Sequence, residues 1–305
     1  MSFLFDVTFV FIAGLITALA TGLGAIPFFF VEEFSDRWNV ALWGIASGIM
    51  VSASLFGLVN EGLAYASDGL PTLLIGGLIA GVVLVEVADR VLEWADVGGH
   101  DHDSAHDDAA TATVDDEEVL PDGEGAATDH DHPIDLEAFA EGDLKKLVLI
   151  LGILTVHSFP EGVAVGVSFA ELGLEGGIGV LGLSVPLLAV FMTIAISIHN
   201  IPEGTAIAIP MRAMGLSKWR MVGAAVFSSL PQPIGAVIAF AFVTWAESFL
   251  PFGFGFAAGA MIYLVLTEFI PEALATGVEL PRRGYGELAT GIGAGVLLML
   301  PLLYV

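Results

Sequence analysis

The chain has 305 residues, 56% of them hydrophobic, no cysteine, and 35 Asp and Glu against nine Lys and Arg, for a formal net charge of −26. That balance excludes nucleic acid and anionic lipid headgroups as partners, since both need a basic patch, and the missing cysteine excludes disulfides and thiolate ligands, leaving nitrogen, oxygen and thioether donors for a metal. Outside one polar stretch the sequence is too apolar for a soluble domain and reads as an integral protein of a lipid bilayer, while the acid excess fits a surface kept hydrated in concentrated salt.

In chain order, eight segments reach the roughly 20 apolar residues that a crossing needs: about 4–31, 40–64, 70–94, 144–169, 178–210, 219–246, 251–275 and 285–305. The expected fold is all-α, a polytopic integral membrane protein with eight transmembrane helices. Span one starts without a basic flank and reads as a retained span, not a cleaved signal. Span two carries Gly44-Ile45-Ala46-Ser47-Gly48-Ile49-Met50 and runs on to Glu61. It aligns without gaps on Gly255-Phe256-Ala257-Ala258-Gly259-Ala260-Met261, which runs on to Glu272 in span seven. The glycines suit close helix packing, and their recurrence in spans of opposite sense predicts inverted repeats relating spans 1–3 to 6–8. At the end of span three, Glu86 and Asp89 beside Arg90 read as a solvated helix end.

Three regions follow: helices one to three over 1–94, a polar stretch over 95–143, and helices four to eight over 144–305. The polar stretch has 17 Asp and Glu, no Lys or Arg, and five of the seven histidines, a composition that cannot bury a core and is expected to be disordered. His100 and His102 alternate with aspartates, as do His130 and His132, giving a tethered set of donors that reads as weak metal capture; an inert salt-adapted linker is the alternative. All nine basic residues fall in alternate connections, from Arg37 to Arg282 and Arg283. The positive-inside rule therefore puts those connections and 95–143 in the cytoplasm and both termini outside.

Spans four and five carry one pattern twice: His157-Ser158-Phe159-Pro160-Glu161-Gly162 and His199-Asn200-Ile201-Pro202-Glu203-Gly204. Residues i and i+4 share a helix face, so each copy offers an imidazole and a carboxylate together. The proline obstructs the preceding turn and frees the carbonyls of Val156 and Ile198 as further oxygen donors. An unpaired charge at a helix centre costs about 2.5–3.5 kcal/mol on insertion scales. A satisfied His–Glu hydrogen bond answers that for one copy, but two copies with two prolines point to a shared cation. Two imidazoles and two carboxylates give a four-coordinate set of net charge −2 suited to Zn2+, with Fe2+, Mn2+ and Cd2+ also accepted. With no His-Glu-x-x-His helix and no spare acid–base group, the chain reads as a carrier of metal and not as an enzyme.

The doubled motif on consecutive spans, with eight spans, outward termini and a His-rich cytoplasmic connection, resembles the ZIP (Zrt/Irt-like protein) family of divalent metal transporters, most of all its prokaryotic branch. Thr21-Gly22-Leu23-Gly24-Ala25-Ile26-Pro27 of span one shares the likeness. The resemblance implies zinc uptake across the plasma membrane into the cytosol, and a homodimer. It makes His157, Glu161, His199 and Glu203 the ligands of a first site, with Met50 a thioether contributor. Family members often hold a second ion between the residue after each His and a span-six Glu, bridged by the motif glutamates. Here those positions read Ser158, Asn200 and Gln232. A neutral amide binds a dication more weakly than an anion does, which predicts one well-occupied site and at best a transient second. Glu272 near the cytoplasmic end of span seven, Glu61, its repeat mate, and Glu268 are expected as exit and access stepping stones; plain interfacial carboxylates are the alternative.

Overall fold

We describe a computed structural model of the chain over residues 3–31, 35–65, 70–96, 152, 155–174 and 177–301. Helix α1, Phe3–Thr21, tightens into a 3-10 turn over Gly22–Phe29. Helix α2, Asp36–Ser52, passes through a π-helical stretch, Ala53–Val59, into Asn60–Ala64. Helix α3 is Thr72–Asp96, and α4 covers 155–168. A hairpin of β1, Ile178–Val180, and β2, Leu183–Val185, precedes α5, Leu187–Ala213. Helix α6 has two halves, Lys218–Ser228 and Pro231–Trp245. Helix α7, Leu250–Leu264, passes through a second π stretch, Val265–Phe269, into Ile270–Thr276, and α8 is Tyr285–Met299.

These segments are apolar on nearly every side, and inside a membrane only a helix meets the backbone's polar groups without a neighbour. Phe3–Phe29, Asp36–Ala64, Thr72–Val91, Leu187–Ala213, Lys218–Trp245 and Glu247–Thr276 are long and apolar enough to cross a membrane. The chain is thus mostly helical and polytopic, and α4 and α8 coincide with the two remaining expected spans over shorter described lengths. Span five is expected to begin at 178, but 178–185 forms the antiparallel hairpin instead. Leu181 and Gly182 take positive φ, 49° and 83°, the two-residue turn that matches the twist of paired strands.

Packing divides the helices into two sets. In the first, α3 lies on α7 and α2 on α8, in the two largest helix interfaces among the described residues. Their seams are glycine against backbone. A Cβ on Gly77 or Gly81 would overlap the carbonyl of Phe252 or Phe256, one on Gly255 or Gly259 that of Leu74 or Leu78, while Gly44 and Gly48 meet Gly291 and Gly295 backbone to backbone. Small residues four apart allow helices to approach this closely. The two π stretches start one residue apart when Gly44 is aligned on Gly255. In the second set α1 lies on α5 and α6, and α4 meets α6 through Gly162, Gly166 and Gly235. Buried hydroxyls pin this set: Thr21 Oγ1 donates to Ser229 Oγ at 2.7 Å and Thr205 Oγ1 to the Gly24 carbonyl at 3.1 Å. Across the divide α2 packs on α5.

Candidate metal centre

The closing glycine of each motif decides where its helix sits. A Cβ on Gly204 would overlap the Thr21 carbonyl of α1, and one on Gly162 the Gln232 carbonyl of α6, so each motif helix presses directly on a neighbouring backbone. Helix α5 continues through Pro202 and Pro210. Glu161, His199 and Glu203, each at most 2% exposed, thereby offer ligand atoms within 4.8 Å of one another. His199 Nε2 donates to Glu161 Oε1 at 3.2 Å and stands 3.8 Å from Glu203 Oε1. Glu203 Oε1 and His199 Nδ1 are buried without a hydrogen-bond partner.

Amides back this group. Gln232 Nε2 donates to Glu161 Oε2 at 2.5 Å, and Asn200 Nδ2 donates both to Gln232 Oε1 at 3.0 Å and to the Thr17 carbonyl at 2.8 Å. Asn200 Oδ1 has no hydrogen-bond partner. Ser158 on α4 and Met50 on α2 are both buried.

His157, expected beside these three, reaches a different group. Its Nε2 donates to Asp89 Oδ1 of α3 at 3.0 Å and its Nδ1 lies 3.2 Å from Glu268 Oε2 of α7, and the three offer ligand atoms within 4.8 Å of one another. Glu268 sits inside the π stretch of α7, where the widened turn resets the face each residue presents. The end of α3 stays open to solvent at Arg90, 74% exposed, and at Glu86, which pairs with it at 2.5 Å and accepts from the Tyr263 hydroxyl of α7, whereas Asp89 departs from the expected solvated end by accepting from His157 of α4. The only sequence signal for Asp89 and Glu268 is that they are carboxylates within apolar spans.

Glu61 lines a cavity of about 150 Å³ with Tyr65, Ser168, Glu171 and Phe254. The Tyr65 hydroxyl donates to Glu171; burial first, and then that carboxylate, pushes it above the ordinary phenol range. Glu272 is exposed near the end of α7. His100, His102, His130 and His132 lie outside the described residues, as does nearly all of 95–143.

Two carboxylates and a neutral imidazole carry a charge of −2, enough to balance one dication, and a buried set with uncompensated oxygens is stable only when a cation or proton meets it. The donor types suit zinc. The profile of the family described as ZIP Zinc transporter matches residues 6–300. An Arabidopsis thaliana protein named as a candidate zinc transporter is 36% identical over 84% of this chain, which spans about a third (33%) of that protein's length. Zinc transporter GufA of Myxococcus xanthus is 32% identical, covering 95% of this chain and 96% of its own. Zinc transporter ZIPB of Bordetella bronchiseptica is 32% identical over 92% of this chain and 76% of its own.

Proposed function

This chain belongs to the ZIP zinc transporter family, and from that footing we propose that it carries divalent cations, zinc first among them, toward the cytoplasm through the buried Glu161–His199–Glu203 group. The observation that carries the proposal is the burial of two carboxylates and an imidazole with free lone pairs in a chain of membrane-crossing helices. His157, Glu161, His199 and Glu203 are the principal ligands, and Met50 a thioether contributor. Ser158, Asn200 and Gln232 line a position that holds a second ion at most transiently. His157 has two roles in this reading: it joins the other three around the incoming ion and, turned toward Asp89 and Glu268, hands it onward.

Eight crossings and inverted repeats complete the architecture. The matched π stretches of α2 and α7 and the paired glycine seams support the repeat. Region 1–94 supplies three crossings and 144–305 five, with 95–143 on the cytoplasmic side of the plasma membrane, both termini outside, and the chain a homodimer in the bilayer. Glu61, in its cavity, is the access stone and Glu272 the exit stone, while His100, His102, His130 and His132 capture emerging metal. The family match favours a transporter over an enzyme.

The test is radiotracer zinc uptake into liposomes by the purified protein, wild type against His199→Ala, followed by competition with Fe2+, Mn2+ and Cd2+. Wild type moves zinc and the variant does not; absence of flux in wild type overturns the reading.

A further inference from the structure

We propose that Asn200 and Gln232 are positioning residues that fill the second-ion position with an N–H donor, so that the centre takes one ion by construction. The inference rests on the transport reading above and goes beyond it by assigning a direction to the amides. Asn200 Nδ2 serves two acceptors, the Thr17 carbonyl at 2.8 Å and Gln232 Oε1 at 3.0 Å. With its oxygen held by Asn200, Gln232 turns its nitrogen toward Glu161, where it meets Oε2 at 2.5 Å. A Gln232 flipped end for end would set two NH2 groups against each other and an amide oxygen against a carboxylate oxygen, both repulsive among side chains that are fully buried. Asn200, Gln232 and Thr17 are all 0% exposed.

The relay runs from a backbone carbonyl of α1, through α5 and α6, to a carboxylate of α4. Its consequence is coordinative. Glu161 Oε2 spends one lone pair on that N–H, which leaves Oε1 the freer oxygen for an ion shared with His199 and Glu203 and sets a donor where a second ion would have to approach. Charge agrees: two carboxylates balance one dication, and a second dication in a buried site would need at least one further anion beside it.

Zinc retained by the full-length protein in detergent is counted by equilibrium dialysis and elemental mass spectrometry, with the count for His199→Ala subtracted to remove ions held by 95–143. Wild type retains one ion at the site. Gln232→Glu, which deletes the donor and adds an anion, retains two, and so does Asn200→Asp, which removes the hydrogen that orients Gln232 together with the one bonded to the Thr17 carbonyl, and adds an anion. Gln232→Leu retains one, bound roughly 10–100-fold more weakly, as loss of an outer-shell partner dictates. A purely structural role would lower thermal stability and leave the counts alone. Two ions in wild type, or one in both acidic variants, overturns the relay; if Gln232→Glu does not fold, Asn200→Asp and the wild-type count decide. If His199→Ala retains as much zinc as wild type, the transport-site reading itself falls, whereas one His199-dependent ion in both acidic variants defeats the relay alone.

Discussion

A single turn of α4 separates His157 from Glu161, yet the first reaches Asp89 and Glu268 and the second His199. The i, i+4 spacing made the pairing of His199 with Glu203 legible, because it depends on one helix alone. The direction His157 takes was not, because it depends on where α3 and α7 lie and on the π stretch that aims Glu268. If the Asp89–His157–Glu268 group receives the ion from the buried centre, Glu268→Gln lowers maximal zinc uptake by roughly 10-fold while half-saturating zinc stays within about twofold, and Asp89→Asn does the same. A raised half-saturation with an unchanged maximum would assign these residues to capture instead.

Among the elements, the hairpin 178–185 was hidden by its own composition, since a short apolar run that continues into a helix cannot be told from helix by hydropathy. Gly179, Gly182 and Pro186 were the signals that could have separated it. The glycine repeats of α2 and α7 were legible as packing surfaces, but their partners on α8 and α3 were not. Two adjacent residues test the α3–α7 seam. A Cβ on Gly77 meets the Phe252 backbone, whereas one on Gly76 meets nothing within 4 Å. Gly77→Ala therefore destabilises the protein by about 1–3 kcal/mol, and Gly76→Ala leaves it unchanged or slightly firmer. Denaturant-induced unfolding in detergent checks both; equal effects would mean that the two backbones are not in contact.

For the molecule as a whole, the long apolar segments made a helical, polytopic membrane protein legible, while the grouping of helices into two sets needed tertiary contacts. If transport runs through the buried centre, as proposed above, its imidazole and carboxylates bind zinc only when deprotonated. Uptake accordingly falls as external pH drops from about 7.5 to 5.5, because protons compete with the ion for its ligands; a flat profile in a proteoliposome assay would contradict this.

The glycine seams leave no side chain between the backbones of α3 and α7 or of α2 and α8, whereas His157 spans the gap between the two sets through polar contacts that can be remade. Paramagnetic labels on single introduced cysteines, unopposed by any native thiol, then act as rulers. A pair spanning a seam reads one distance through a zinc titration, and a pair reaching from α4 to α3 reads a distance that shifts with occupancy.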